Sequence, residues 1–272
     1  LSAPSRPTSG PGIQRTKKIR FLMVLSVLGS SSSGNAYVLH NAGEALLIEA
    51  GINFKKVVAA LEGDISKVVG CLITHEHGDH AGRINEVLNA VIPVYATRGT
   101  IEAAKVTSEW KPRELTRTEQ GYKVQTIGRF KVIPFATKHD SAEPVGFYIW
   151  HPETGGILFA TDTYYLPNTF KGLNNVLIEC NYDPEILDRN VEEGRLIPTL
   201  RERVRESHLS IDTCLDALKA NDLKAVNNIV LIHLSSGNGD PVAFKDRVYR
   251  ATGKRVHIAR PGLSINFNKT PF

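Results

Sequence analysis

Short apolar runs recur along the chain, and their spacing predicts alternating strands and helices. The runs IRFLMVLSVL (19–28), AYVLH (36–40), ALLIEA (45–50) and VVGCLIT (68–74) are bounded by Gly, Ser and Asn, which predicts four strands. Amphipathic stretches at 53–62 and 80–90 predict helices following them. Further strands are expected near 92–96, 129–135, 145–151, 156–161 and 175–179. Helices near 190–206 and 210–220, a strand at 228–234, a helix at 240–251 and strands at 255–259 and 262–267 complete the pattern. No repeat of fixed period underlies the alternation. Strands and helices interleaved in this way imply an α/β protein whose sheets are covered by helices.

Composition changes this picture at one end only. Residues 1–18 are rich in Pro, Ser and Gly and read as a disordered tail, leaving residues 19–272 as the folded domain. The 272-residue chain has a formal net charge of +5. The first 20 residues hold Arg6, Arg15, Lys17, Lys18 and Arg20 and no acid, so the whole excess lies in the tail and the body is formally neutral. A uniformly basic nucleic-acid-binding domain is thereby excluded. Arg195, Arg201, Arg203 and Arg205 alternate with Glu192, Glu193, Glu202 and Glu206, the pattern of a salt-bridged helix face. No apolar run reaches the ~18 residues of a membrane span. Phe21–Leu28 follows basic residues like the core of a signal peptide, but no small-residue cleavage site follows, and it reads as the first strand. Cys71, Cys180 and Cys214 are odd in number and widely spaced, which fits a reducing cytoplasm rather than a disulfide framework.

The chemistry concentrates in Thr74-His75-Glu76-His77-Gly78-Asp79-His80, directly after the apolar run VVGCLIT. In extended backbone, His75 and His77 share a face. Asp79 and His80 lie at the turn into the next helix and can serve a second point nearby. Imidazole and carboxylate suit Zn²⁺. A run of solvated histidines is the alternative, but four ligand side chains within one turn at a strand's carboxyl end favour a metal.

THEHGDH resembles the metal motif of the metallo-β-lactamase superfamily. That resemblance implies a four-layer αββα sandwich with one or two zinc ions at the edge between the sheets. It also implies a further His, a bridging Asp and a last His, each at a strand end. His139 (TKHDS), Asp162 (ATDTYY) and His233 (IHLSSGNGDP) follow apolar runs in that order. The implied assignment places one Zn²⁺ on His75, His77 and His139 and another on Asp79, His80 and His233, with Asp162 bridging; Mn²⁺ is the alternative metal. True β-lactamases of the best-known class have Cys in a ligand role. Cys180 lies outside any ligand motif here, so antibiotic hydrolysis is disfavoured.

His208, in SHLS (207–210), resembles the HxS/T signature of the phosphodiesterase branch, which includes tRNA 3′-processing endonucleases and YycJ-type proteins. Its implied role is proton donation to the leaving oxygen or binding of a phosphate oxygen; the plain alternative is a residue preceding a helix capped by Ser210. The match to YycJ-type proteins covers roughly 19–267 and rests on GSSSSGNAYVL, THEHGDH, GRLIPTLRERVRESHLS and HLSSGNGDP. Ser207 stands where Gly is usual, and Gly78 where Ser is common. The loop with Ser30, Ser33, Gly34 and Asn35 offers donors that could cradle phosphate, or it is a plain turn. His40, His151 and His257 match no motif and read as structural.

The resemblance implies a cytoplasmic hydrolase that cleaves phosphodiester bonds with hydroxide activated by two zinc ions, with Asp79 and His208 as catalytic residues. The expected substrate is a DNA 5′ end, as for YycJ-type nucleases. Related phage-encoded members hydrolyse cyclic mononucleotide signals in anti-Pycsar immune evasion, which is the alternative. A glyoxalase II-like thioesterase and a non-catalytic metal-binding module are weaker alternatives. The span from Asp162 to His208 is too short for the inserted domain of β-CASP nucleases. The chain's partners would be the phosphodiester substrate and, as one option, a second copy in a homodimer.

Overall fold

A computed structural model describes residues 22–271. The expected tail, the start of the first run and Phe272 lie outside the described residues. The first half of the chain runs β1 (Val24–Gly29), β2 (Ala36–His40), β3 (Ala45–Ile48), α1 (Phe54–Ala60), β4 (Val68–Leu72), α2 (Gly78–Ala81), α3 (Ile84–Asn89), β5 (Val94–Ala96), α4 (Arg98–Ala103) and β6 (Arg113–Glu114). A small hairpin, β7 (Arg117–Thr118) and β8 (Gly121–Tyr122), leads to β9 (Gln125–Ile127), β10 (Phe130–Ala136), β11 (Val145–His151), β12 (Gly155–Ala160) and β13 (Leu173–Glu179). The chain continues through α5 (Pro184–Glu192), α6 (Pro198–Ser207), α7 (Ile211–Lys219), β14 (Asn228–Ile232), α8 (Pro241–Thr252), β15 (Arg255–Ile258) and β16 (Ser264–Asn266).

Two seven-stranded sheets result, ordered β16-β1-β2-β3-β4-β5-β6 and β15-β14-β13-β12-β11-β10-β9. Each is antiparallel in one half and parallel in the other: β3 to β6 run parallel in the first, β12 to β15 in the second. The inner faces meet in one apolar layer, where Leu25, Tyr37, Leu39 and Ile48 share a cluster with Phe130, Phe147, Phe159 and Val230. Outside the first sheet, Val57, Leu61, Ile84 and Leu88 pack onto Val38, Leu47 and Cys71. Outside the second, Leu215, Leu218, Phe244 and Val248 pack onto Val176, Ile178 and Leu231. Each sheet is thus buried on both faces, which explains why β3 and the cores of β13 (Val176–Ile178) and β14 (Ile229–Ile232) read as continuous apolar runs rather than alternating ones. The layers are helix, sheet, sheet, helix, the αββα arrangement of the metallo-β-lactamase fold.

Two expected helices differ. The 80–90 helix is split into α2 and α3, because the chain bends at Gly82 and Arg83. The 190–206 helix is instead α5 and α6: Gly194 takes a left-handed φ of 71° and Pro198 opens α6. Both are ordinary helix-ending chemistry. Helix α4 and the short strands β6 to β9 were not expected, since two- and three-residue strands carry too little periodicity to register. The three cysteines are free and buried.

Candidate metal centre

The parallel strands all deliver their carboxyl ends to one edge of the sandwich, where open α/β sheets hold ligands. Strand β3 leads to Glu49, β4 to His75–His80, β12 to Asp162 and β14 to His233, while β13 ends at Glu179. The loop after β10 brings His139, and the extended residue between α6 and α7 brings His208. Glu49, Asp162 and His233 have left-handed φ values of 66°, 47° and 53°. Non-glycine residues rarely adopt that backbone, and it is concentrated here at the site.

The side chains converge. His75, His77 and His139 can each offer a ligand atom within 4.8 Å of the others, and so can Asp79, His80 and His233. Asp162 forms a third such group with His75 and His80, and a fourth with Glu179, His208 and His233. His80 Nε2 lies 2.7 Å from Asp162 Oδ2 and 3.2 Å from Asp79 Oδ2. His233 Nε2 is 3.3 Å from the same Asp79 oxygen. His139 Nε2 and His77 Nδ1 are 3.2 Å apart. The structure therefore brings all seven ligand candidates and His208 to one place.

Hydrogen bonds around the cluster fix which ring nitrogens face it. Thr74 Oγ1 donates to Glu49 Oε1 at 2.6 Å, so it can only accept from His75 Nδ1 at 2.9 Å. His75 Nε2 is then a bare lone pair, and it is buried without any partner. His139 Nδ1 donates to the Ser207 carbonyl at 3.0 Å, which leaves its Nε2 as a lone pair beside His77. A buried acceptor without a donor costs about 1–3 kcal/mol. Lone pairs gathered among carboxylates are what a divalent cation uses, and such anchoring of the far nitrogen is usual for metal-binding imidazoles. The donor set of nitrogen and carboxylate oxygen fits zinc.

Charge supports the same fit. Burial would raise the Asp162 carboxyl, but His233 and His80 outweigh it and hold the group well below the usual carboxylate range. Asp79 behaves likewise, its burial outweighed by His233 and His80. Burial holds His75 well below the usual imidazole value, and His80 pushes the same way. Burial would also lower His233 and His208, yet Asp162 and Glu179 lift them to about 9 and about 10. Protons thus offset a surplus of buried carboxylate charge, a role a divalent cation can take over.

Two carboxylates were not singled out from sequence. Glu179 Oε1 is 2.7 Å from His208 Nδ1 and 3.3 Å from His233 Nδ1, and its Oε2 accepts from the Thr163 and Leu209 amides. Glu49 holds Thr74 and lies 3.4 Å from His80 Nδ1. Each is a glutamate closing an apolar strand, in ALLIE and NVLIE. A wholly buried acid needs partners, so that placement was the available signal.

The Ser/Gly loop packs against the cluster through part of its length. Asn35 is buried, with its Nδ2 3.2 Å from Asp79 Oδ2 and 3.1 Å from His80 Nε2. Ser30 Oγ accepts from the His233 amide at 2.9 Å and meets Tyr37 Oη at 2.8 Å. Gly34 is buried and Ser33 is exposed. Ser32, not singled out from sequence, is the loop residue that lines the cavity over the cluster. Ser210 caps α7, accepting from the Thr213 amide at 3.1 Å. His151 Nε2 meets Glu44 at 3.0 Å, His40 Nε2 meets Ser26 at 2.9 Å, and His257 meets Asn228 at 3.4 Å, all away from the cluster.

Comparison with known proteins agrees with this architecture. The family model of the metallo-β-lactamase superfamily matches residues 31–204. The chain is 30% identical over 223 residues to exodeoxyribonuclease YycJ of Bacillus anthracis, covering 78% of this chain and 83% of that protein. It is 29% identical over 256 residues to exodeoxyribonuclease WalJ of Streptococcus pneumoniae, covering 89% of this chain and 91% of that protein. The crystal structure of the metallo-β-lactamase fold protein YhfI from Bacillus subtilis superposes with a TM-score of 0.66 at 16% identity, over 90% of this chain and 99% of that one, a likeness of fold.

Proposed function

Because the chain belongs to the metallo-β-lactamase superfamily, we propose that this metal-dependent hydrolase is a YycJ-type nuclease that cleaves phosphodiester bonds at DNA 5′ ends. His75, His77 and His139 would hold one zinc ion, Asp79, His80 and His233 a second, and Asp162 would join them. The observation that carries the reading is His208. It lines the same cavity as His77, His139, Asp79, His80, Asp162 and His233, and its Nδ1 is 3.1 Å from Asp162 and 2.7 Å from Glu179. Bound zinc would lower the pKa of water and offset charge on the phosphoryl oxygens. With Nδ1 held by Glu179, the Nε2 of His208 is free to give its proton to the leaving oxygen. Asp79 Oδ2, facing both His80 and His233, would orient the attacking water. The nuclease names of the YycJ and WalJ relatives support the substrate class, and a cytoplasmic location goes with it. Among the described residues no helix is long and apolar enough to cross a membrane.

A cyclic mononucleotide is the second reading. The cavity over the cluster is about 260 Å³, and the arginine in its wall, Arg203, is already paired with Asp140 at 3.1 Å. That wall offers no basic track to a long strand. The test incubates zinc-loaded protein with 5′-labelled DNA, RNA and a panel of cyclic nucleotides. Stepwise shortening of DNA from its 5′ end is expected. Loss of cyclic mononucleotides with intact DNA overturns the first reading in favour of the second. Turnover of thioesters alone overturns both.

A further inference from the structure

A second, larger cavity of about 730 Å³ adjoins the first, and the two share His139, Asp140, Arg203 and Ser207. A molecule held at the metal cluster therefore has a way past the Asp140–Arg203 pair into this space. One of its walls is Tyr164, two residues beyond Asp162 and 39% exposed. The loop is fixed on both sides. The Tyr164 amide donates to the Lys138 carbonyl at 3.2 Å, and the Lys138 amide donates to Thr163 Oγ1 at 3.0 Å. Thr163 Oγ1 in turn donates to the Tyr165 carbonyl at 2.8 Å, and the Thr163 amide to Glu179 at 3.2 Å. The loop that presents the ring is thus tied to Glu179 and to the backbone beside His139. Lys138 Nζ stands over one face of the ring, 6.0 Å from its centroid, so a stacked group would take the opposite face.

The charge of the walls says what can lie there. Lys138 and Arg203 face Asp140, Glu202 and Glu206, and Arg203 is spent on Asp140. A second phosphate would meet more carboxylate than free cation. A neutral, flat, hydrogen-bonding group would meet an aromatic face and carboxylates able to accept from its amino group. We propose that this cavity takes the nucleobase of the nucleotide whose phosphate lies at the metal cluster, stacked on Tyr164. This rests on the phosphodiesterase reading, and it describes a site that recognises one phosphate and one base rather than a run of backbone.

Calorimetric titration tests it. Zinc-loaded protein is titrated with 2′-deoxyadenosine 5′-monophosphate and, separately, with 2-deoxyribose 5-phosphate, which lacks the base. The nucleotide is expected to bind about tenfold tighter, the size of one base stacking on one aromatic ring. Tyr164→Ala should abolish the difference, and Tyr164→Phe should keep it; the exposure of the side chain lets both variants fold. Equal affinities in the unaltered protein, a preference that survives Tyr164→Ala, or no binding of either ligand would overturn the proposal. The DNA assay judges the nuclease reading separately. A base preference with no phosphodiester turnover would sink that reading and leave the base site standing.

Discussion

The carbonyl oxygen of Asp79 stands where the side chain of any residue but glycine at position 51 would have to sit. Around that contact the backbone is interlocked. The Asn35 amide donates to the Asp79 carbonyl at 2.8 Å, the Gly51 amide to the Asn35 carbonyl at 2.9 Å, and the Ala50 amide to the His80 carbonyl at 2.7 Å. The exit of β3 therefore clamps α2, the short helix that carries two of the candidate ligands.

Gly51→Ala is accordingly expected to do more than an ordinary loop substitution. The new methyl group must push Asp79 and His80 out of line, at about 1–3 kcal/mol of stability. Metal analysis and thermal melting check it: zinc per chain and Tm should fall together. A variant with full zinc and an unchanged Tm would show that the clamp has slack.

His208 and Glu179 should separate chemistry from metal binding. His208→Ala is expected to lower kcat by about 10²–10⁴-fold, the usual worth of a positioned proton donor, with zinc content unchanged. Glu179→Gln, which keeps size but removes the charge that holds His208 Nδ1, should cost about 10–100-fold. If His208→Ala loses zinc, its place outside the ligand set is wrong.

Metal removal should be read in stability before activity. The lone pair on His75 Nε2 and the packed carboxylates of Asp162 and Glu179 are poorly matched without a cation. Chelation should lower Tm, and zinc at about one hundred times its dissociation constant should restore about 2.7 kcal/mol. A Tm that responds to manganese and not to zinc would reassign the metal.

His40 predicts a separate acid sensitivity, remote from the site. Burial lowers its pKa below the usual imidazole value, and Lys67 pushes the same way. The folded protein therefore takes up this proton less readily than the unfolded chain, so stability is kept above about pH 6.5 and falls as the pH drops below it. His40→Gln should shrink the loss of Tm between about pH 7.5 and 5.5. An identical pH profile would show that other groups govern it.

Much of the fold was legible because its sheets are buried on both faces. β4, β12, β13 and β14 announce themselves as apolar runs, and a polar or charged residue at the end of such a run marks the site. His75 stands out through the THEHGDH motif at such an end, and Asp162 and His233 through the resemblance, which asks for ligands at the ends of later runs. Glu49 and Glu179 carry the same signature and were passed over, because an isolated glutamate at a strand end looks like any surface acid until the buried face is known. The break between α5 and α6 was written in Gly194 and Pro198, yet amphipathic spacing continues across it and outweighed the two signals. Nothing local marks Gly51, whose constraint comes from a helix more than 25 residues further along the chain. Tyr164 was equally silent, since its meaning depends on a cavity formed by α6.

The candidate ligands come from both halves of the sandwich, His75, His77, Asp79 and His80 from the first sheet and His139, Asp162 and His233 from the second. Under the proposed assignment the metal pair is a rivet across the seam, and neither half could complete either coordination sphere unaided. Without the metals the two sheets would still share their apolar layer and the β1–β16 pairing, so the ions would set how rigidly the ligand-bearing edge is closed rather than whether the halves meet.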